Sequence, residues 1–103
     1  LALASAGLTG LFDQEVTAEL VTHGKPHPEV YLRAAELLGL PAARCLALED
    51  APNGVTSAKA AGMHCFAIPG DHATPDRVAH ADAVLASLAN VIGEMQRRGW
   101  VQT

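Results

Sequence analysis

A short, unbroken apolar run that ends in two adjacent carboxylates constrains this chain more than any other feature. Cys45, Leu46, Ala47 and Leu48 leave no polar face, as expected of a strand covered on both sides in a parallel sheet. Glu49 and Asp50 stand where that strand would end. Pro52, Asn53 and Gly54 then turn the chain into a small-residue helix through Val55, Ala58, Lys59 and Ala61, closed by Gly62. His64 to Ile68 reads as a second buried strand, so strand, helix and strand make a right-handed βαβ unit. Ligands of open α/β sheets gather at the carboxyl ends of the strands, where the acidic pair falls.

The flanking segments follow from local signals. Leu1 to Leu8 reads as the last turns of a helix stopped at Gly7, and a first residue that is Leu rather than Met suggests a start partway through a larger protein. Leu8 to Phe12 leads into a short strand or extended segment at Asp13 to Thr17. Gly24 and Pro26 forbid a regular element around Lys25, so a loop presents that lysine. Pro28, Glu29 and the helical spacing of Val30, Ala34, Leu37 and Leu38 predict a helix that ends at Gly39. Thr74 and Pro75 should cap a short helical piece reaching about His80, and Ala83 to Leu85 make a small last strand. Ser87 then caps a helix with Leu88, Val91, Ile92 and Met95 on one face, stopped at Gly99. With no repeat, linker or low-complexity segment, residues 1–103 read as a single α/β domain.

Composition excludes several function classes. Seven basic against eleven acidic side chains give a formal charge of −4, which offers no basic surface for nucleic acid or an anionic membrane. No apolar stretch approaches the roughly 20 residues that span a bilayer, and no basic segment precedes an apolar one as in a secretory leader. The chain therefore reads as cytoplasmic. Cys45 and Cys65 both fall in apolar, strand-like runs without a CxxC partner or a cationic neighbour, and are expected to be buried, inert thiols.

Three places carry the type of residue that chemistry needs. Glu49 and Asp50 are hard oxygen donors at the mouth of a sheet, suited to Mg²⁺, which takes one or two carboxylates together with substrate phosphate and water. The competing reading is that Asp50 only caps the next helix while Glu49 is solvated. Gly54 sits in the first turn of that helix, where glycine costs about 1 kcal/mol relative to alanine, so a ligand or the sheet should approach its backbone. Asn53 could add a side-chain contact or serve only the turn. Lys25 is a point charge on a constrained loop, suited to neutralising a phosphoryl group or a carboxylate.

Taken in this order, GKPHP followed by LALEDAPNGVTSAKAAGM resembles the haloacid dehalogenase superfamily, in its phosphatase and phosphoglucomutase branch, from about Ala2 to Ile92. The resemblance implies the C-terminal part of a Rossmann-like parallel-sheet core with three layers, α/β/α. It implies that Lys25 steadies an attacking aspartate and the transferred phosphoryl group, and that Glu49 and Asp50 bind the essential Mg²⁺. Asn53 and Gly54 would shape the metal and phosphate site. The wording KPHPEVYL and ALEDAPNG is most similar to phosphatases of hexose or hexitol 6-phosphates, including 2-deoxyglucose 6-phosphate, with phosphoglycolate phosphatase and β-phosphoglucomutase left open.

The resemblance also marks what this chain does not carry. The family's nucleophile and general acid stand in a DxDG motif that is absent here, as is the Ser/Thr phosphate motif of its second strand. Asp13, Asp71, Asp76 and Asp82 lack the right surroundings, and the cap that selects substrate lies between the two missing motifs. The expectation is the C-terminal half of a core, inactive alone because covalent transfer needs a nucleophile. The full-length parent would be monomeric, whereas the missing central strand would leave an open sheet edge that invites pairing or aggregation. A receiver-type signalling module would place its acidic pair before its Lys-Pro, the reverse of the order here, and a non-catalytic remnant is the third reading. His23, His27, His64, His72 and His80 show no metal-ligand spacing and read as surface or satisfied histidines, although His27 adjoins the lysine loop. Trp100 is expected to cover core surface or a partner.

Overall fold

The computed structural model describes residues 2–5, 11–14 and 21–101. Its strands β1 (Ala2–Ser5), β2 (Leu11–Gln14), β3 (Cys45–Glu49), β4 (His64–Ala67) and β5 (Ala83–Val84) form one sheet in the order β2-β1-β3-β4-β5. The apolar run is β3, buried along its whole length, and it pairs in parallel with β4, placing Leu46 beside His64 and Glu49 beside Ala67. β5 extends the parallel part, with Phe66 opposite Ala83.

The N-terminal end departs from expectation. Ala2–Ser5 is a strand rather than the end of a helix, antiparallel to β3 on one side and to β2 on the other. Sheet pairing on both edges overrides the helical preference of alanine and leucine, which is only a weak local bias. The edge of β3 that was expected to lie open is thus covered by β1, and the sheet ends at β2 and β5. The second strand is also two residues earlier than the expected Asp13 to Thr17, whose residues 15–17 lie outside the described residues, as does Gly7.

Side chains alternate across β3 and β4 and divide the core in two, as the strand period of two requires. Cys45, Ala47, Cys65 and Ala67 face α1 (Glu29–Leu38) and α2 (Pro52–Ala60), packing with Tyr31, Ala34, Val55, Ala58 and Met63. Leu46, Leu48 and Phe66 face α3 (Val91–Arg97), packing with Val91 and Met95. The result is the expected α/β/α layering.

Local signals set the helix ends. α1 stops where Gly39 adopts φ 70°, a left-handed conformation that costs glycine nothing, and its N–H returns to the carbonyls of Ala35 and Glu36. Pro52 is the first residue of α2. Thr74 supplies no side-chain cap, and Pro75–Val78 forms a 3₁₀ turn. Ser87 does begin the last helical segment, with its N–H donating to the Asn90 side chain, but Leu88–Asn90 is 3₁₀ before α3 starts. That tighter turn rotates the expected apolar face, so Val91 and Met95 are buried while Leu88 and Ile92 stay exposed. Trp100 folds back over the sheet and stacks on Phe66, with ring centroids 5.5 Å apart. No helix among the described residues is long and apolar enough to cross a membrane.

Candidate active site

The carboxyl end of β3 brings Lys25, Glu49 and Gly54 together. Lys25 comes from the loop before α1, where the Lys25–Pro26 peptide is cis. Its Nζ donates to both Glu49 carboxylate oxygens, at 2.9 and 3.0 Å, although 24 residues separate the two. The Glu49 side chain is only 7% exposed, so its charge requires a partner, and the partly exposed ammonium supplies one. Lys25 also lies 5.3 Å from the centre of the Tyr31 ring, within cation–π range.

Gly54 explains itself once Glu49 is placed. A Cβ on Gly54 would stand 1.2 Å from Glu49 Oε1, so only a residue without a side chain lets the carboxylate pass over the first turn of α2. The expected close approach is therefore that of the strand's own carboxylate. Asn53, one residue earlier, is exposed.

Asp50 follows Glu49 but faces outward. Its side chain is 55% exposed, and its Oδ2 lies 3.6 Å from Nε2 of His72. It does not cap α2: the N-cap position belongs to Ala51, and no side chain caps that end. Of the two carboxylates, Asp50 is thus the more open to a hard cation, with one oxygen only 3.6 Å from an exposed imidazole, while both oxygens of Glu49 are held by Lys25. One exposed carboxylate at a strand end fits the Mg²⁺ donor set, in which substrate and water complete the coordination.

Other supporting residues carried no signal in the sequence. Ser57, fully buried in α2, donates its hydroxyl to the His27 carbonyl at 2.7 Å and ties the lysine loop to the helix. Its neighbours are small residues, and nothing local distinguishes it from them. The Tyr31 hydroxyl is buried and makes no hydrogen bond within the described residues. Burial first, and then the nearby charge of Glu49, pushes that phenol well above the ordinary tyrosine range. His23 and His27 are exposed, as expected, yet the loop brings them beside Glu29. The two thiols are buried as expected, and desolvation followed by the charge of Glu49 pushes Cys65 up to about 12, which removes its nucleophilic character.

The sheet order, the lysine loop and the acidic strand end define an α/β fold with a cationic and acidic site at the carboxyl end of its central strand. The family model described as haloacid dehalogenase-like hydrolase matches residues 1–62, and the chain belongs to this family. It is 46% identical over 84 residues to hexitol phosphatase A of Escherichia coli, an alignment that covers 82% of this chain and 38% of that protein. Among solved structures, it is similar to CbbY of Rhodobacter sphaeroides in complex with xylulose 1,5-bisphosphate, with a TM-score of 0.64 and 39% identity over 69% of this chain and 32% of that one. A hydrolase of the same family from Deinococcus radiodurans, with bound phosphate and sodium, superposes with a TM-score of 0.68 and 28% identity, over 76% of this chain and 37% of that one. The chain spans less than half the length of each.

Proposed function

We propose that these residues form the lysine and metal-holding wall of a Mg²⁺-dependent phosphatase that hydrolyses a small phosphate monoester, a sugar or sugar-alcohol phosphate. The observation that carries this reading is the Lys25–Glu49 pair at the carboxyl end of β3, with Asp50 exposed beside it. The kinship with hexitol phosphatase A, and with a structure that holds a sugar bisphosphate, supports the substrate class.

In this reading the phosphoryl group passes through an aspartyl-phosphate, whose aspartate comes from elsewhere in a longer parent, and the 103-residue chain alone has no turnover. Bound at Asp50, Mg²⁺ would neutralise phosphoryl oxygens and fix their direction. Glu49 would join the metal only by releasing Lys25, so its role is to hold the ammonium in place. Lys25 then presents a positive charge to the phosphoryl oxygens without a reorganisation cost at the moment of transfer. Asn53 and the Gly54 turn would border the space in which substrate and metal meet, beside the Glu49 carboxylate that passes over Gly54.

The test uses the full-length gene product. Phosphate release from hexitol phosphates should require Mg²⁺, fall by at least about 10²-fold in Asp50→Asn, and fall comparably in Lys25→Ala. Turnover that ignores Mg²⁺, or an Asp50→Asn enzyme with full activity, would refute the assignment.

A further inference from the structure

The loop that carries Lys25 holds a second constellation of donors. His23, His27 and Glu29 place one potential ligand atom each within 4.8 Å of the others. The imidazoles of His23 and His27 stack with centroids 4.5 Å apart and planes inclined by 24°. His23 Nδ1 lies 2.9 Å from Glu29 Oε2. His27 Nδ1 accepts the Glu29 backbone N–H at 3.1 Å.

We propose that His23, His27 and Glu29 bind a borderline divalent cation such as Zn²⁺, at a site separate from Asp50, and that this ion clamps the lysine loop to the start of α1. Two imidazole nitrogens and one carboxylate are the donor set that such ions prefer, and a three-ligand site leaves a position for water. Mg²⁺, which seeks oxygen, has little reason to enter.

The carboxylate is already aimed. Glu29 accepts the backbone N–H groups of Thr22 at 2.6 Å and His23 at 2.9 Å, and the amide of Thr22 is the main influence holding its carboxyl below the ordinary range. Hydrogen bonds of this kind orient a ligating carboxylate and leave its remaining lone pairs for a metal. Bonds of about 2.0–2.2 Å to a tetrahedral ion put ligand atoms about 3.3 Å apart. His23 Nδ1 and Glu29 Oε2 therefore need only open slightly, and the exposed His27 ring has to close on them. The ion would displace the Glu29 amide from His27 Nδ1, and that amide, in the first turn of α1, can turn to water. Because Lys25 lies between the two histidines in sequence, any ion held by both spans the segment that delivers it to Glu49.

Calorimetric titration of the untagged 103-residue chain with Zn²⁺, in excess Mg²⁺, tests the site and does not depend on the phosphatase reading. One equivalent should bind, and His23→Ala and His27→Ala should each weaken binding at least about tenfold, while His72→Ala leaves it unchanged. The ring nitrogen resonances of His23 and His27, and not those of His64 or His80, should shift on addition of Zn²⁺. Absence of binding, unchanged affinity in both histidine variants, or displacement by Mg²⁺ would each overturn the proposal.

Discussion

The two faces of the sheet are built from different residues, and only one carries the candidate active site. Toward α1 and α2 the strands present Cys45, Ala47, Cys65 and Ala67, all at most 1% exposed, against Ala34, Ala35 and Ala58. Toward α3 they present Leu46, Leu48 and Phe66, against Val91, Met95 and the partly buried Trp100. Small side chains let α2 lie close enough for Glu49 to pass over Gly54 and for Ser57 to reach the His27 carbonyl. Large ones fill volume, and the charge they meet is the Arg98 guanidinium over the Phe66 and Trp100 rings rather than a carboxylate. Added bulk should therefore harm the first face, and lost bulk the second.

The largest effect belongs to the bulky face. Phe66→Ala empties a fully buried position under Trp100 and should destabilise the chain by about 3–5 kcal/mol, seen as a lower urea midpoint. A loss below about 1 kcal/mol would mean that this face is loosely packed.

A sharper test compares two helical glycines. Gly54→Ala should cost about 1–3 kcal/mol, because the new methyl cannot coexist with the Glu49 carboxylate. Gly93→Ala in α3 meets nothing within 4 Å and should instead stabilise by up to about 1 kcal/mol through helix propensity alone. Equal midpoints for the two variants would abolish the distinction between the faces.

Smaller changes probe how the close-packed face is tied. Ser57→Ala removes the link to the His27 carbonyl and should cost about 1 kcal/mol by chemical denaturation. The smallest effect is on pH dependence. Burial raises the Asp82 carboxyl, but hydrogen bonds from Lys59 and the Cys65 amide outweigh it and hold the group below its ordinary 3.8. Such a group adds stability above its unfolded value and loses it as the pH falls through the folded one. Wild-type stability should therefore drop below about pH 3.8, and Asp82→Asn should flatten that part of the profile. An unchanged acid limb would assign the drop to other carboxylates.

Much of this architecture was legible residue by residue. The run Cys45 to Leu48, Pro52 at the first helical position, and glycine after α1 each act within a few residues, and the elements formed where these signals stood. The loop lysine and the acidic pair were visible as candidates, and so was the need for something to approach Gly54. The partner in that approach was hidden, because it is set by how closely α2 seats on β3. The histidine pair was equally hidden. His23 and His27 stand four residues apart, a spacing zinc ligands use, but in a loop broken by Gly24 and Pro26 that spacing fixes no common face, and the turn that lets Glu29 reach back to the Thr22 and His23 amides brings the three together.

Sequence alone determined the βαβ unit, the loop position of Lys25 and the placement of Glu49 and Asp50 at a strand end, since each rests on local backbone preference or on the burial of a continuous apolar run. The strand at Ala2–Ser5, the exposure of Leu88 and Ile92, and the burial of Glu49 against Lys25 beside an exposed Asp50 were decided only by the tertiary structure. A helix satisfies its hydrogen bonds from within, whereas a strand or a buried charge is settled by a partner far along the chain: β3 for Ala2–Ser5, and for Glu49 a lysine 24 residues away.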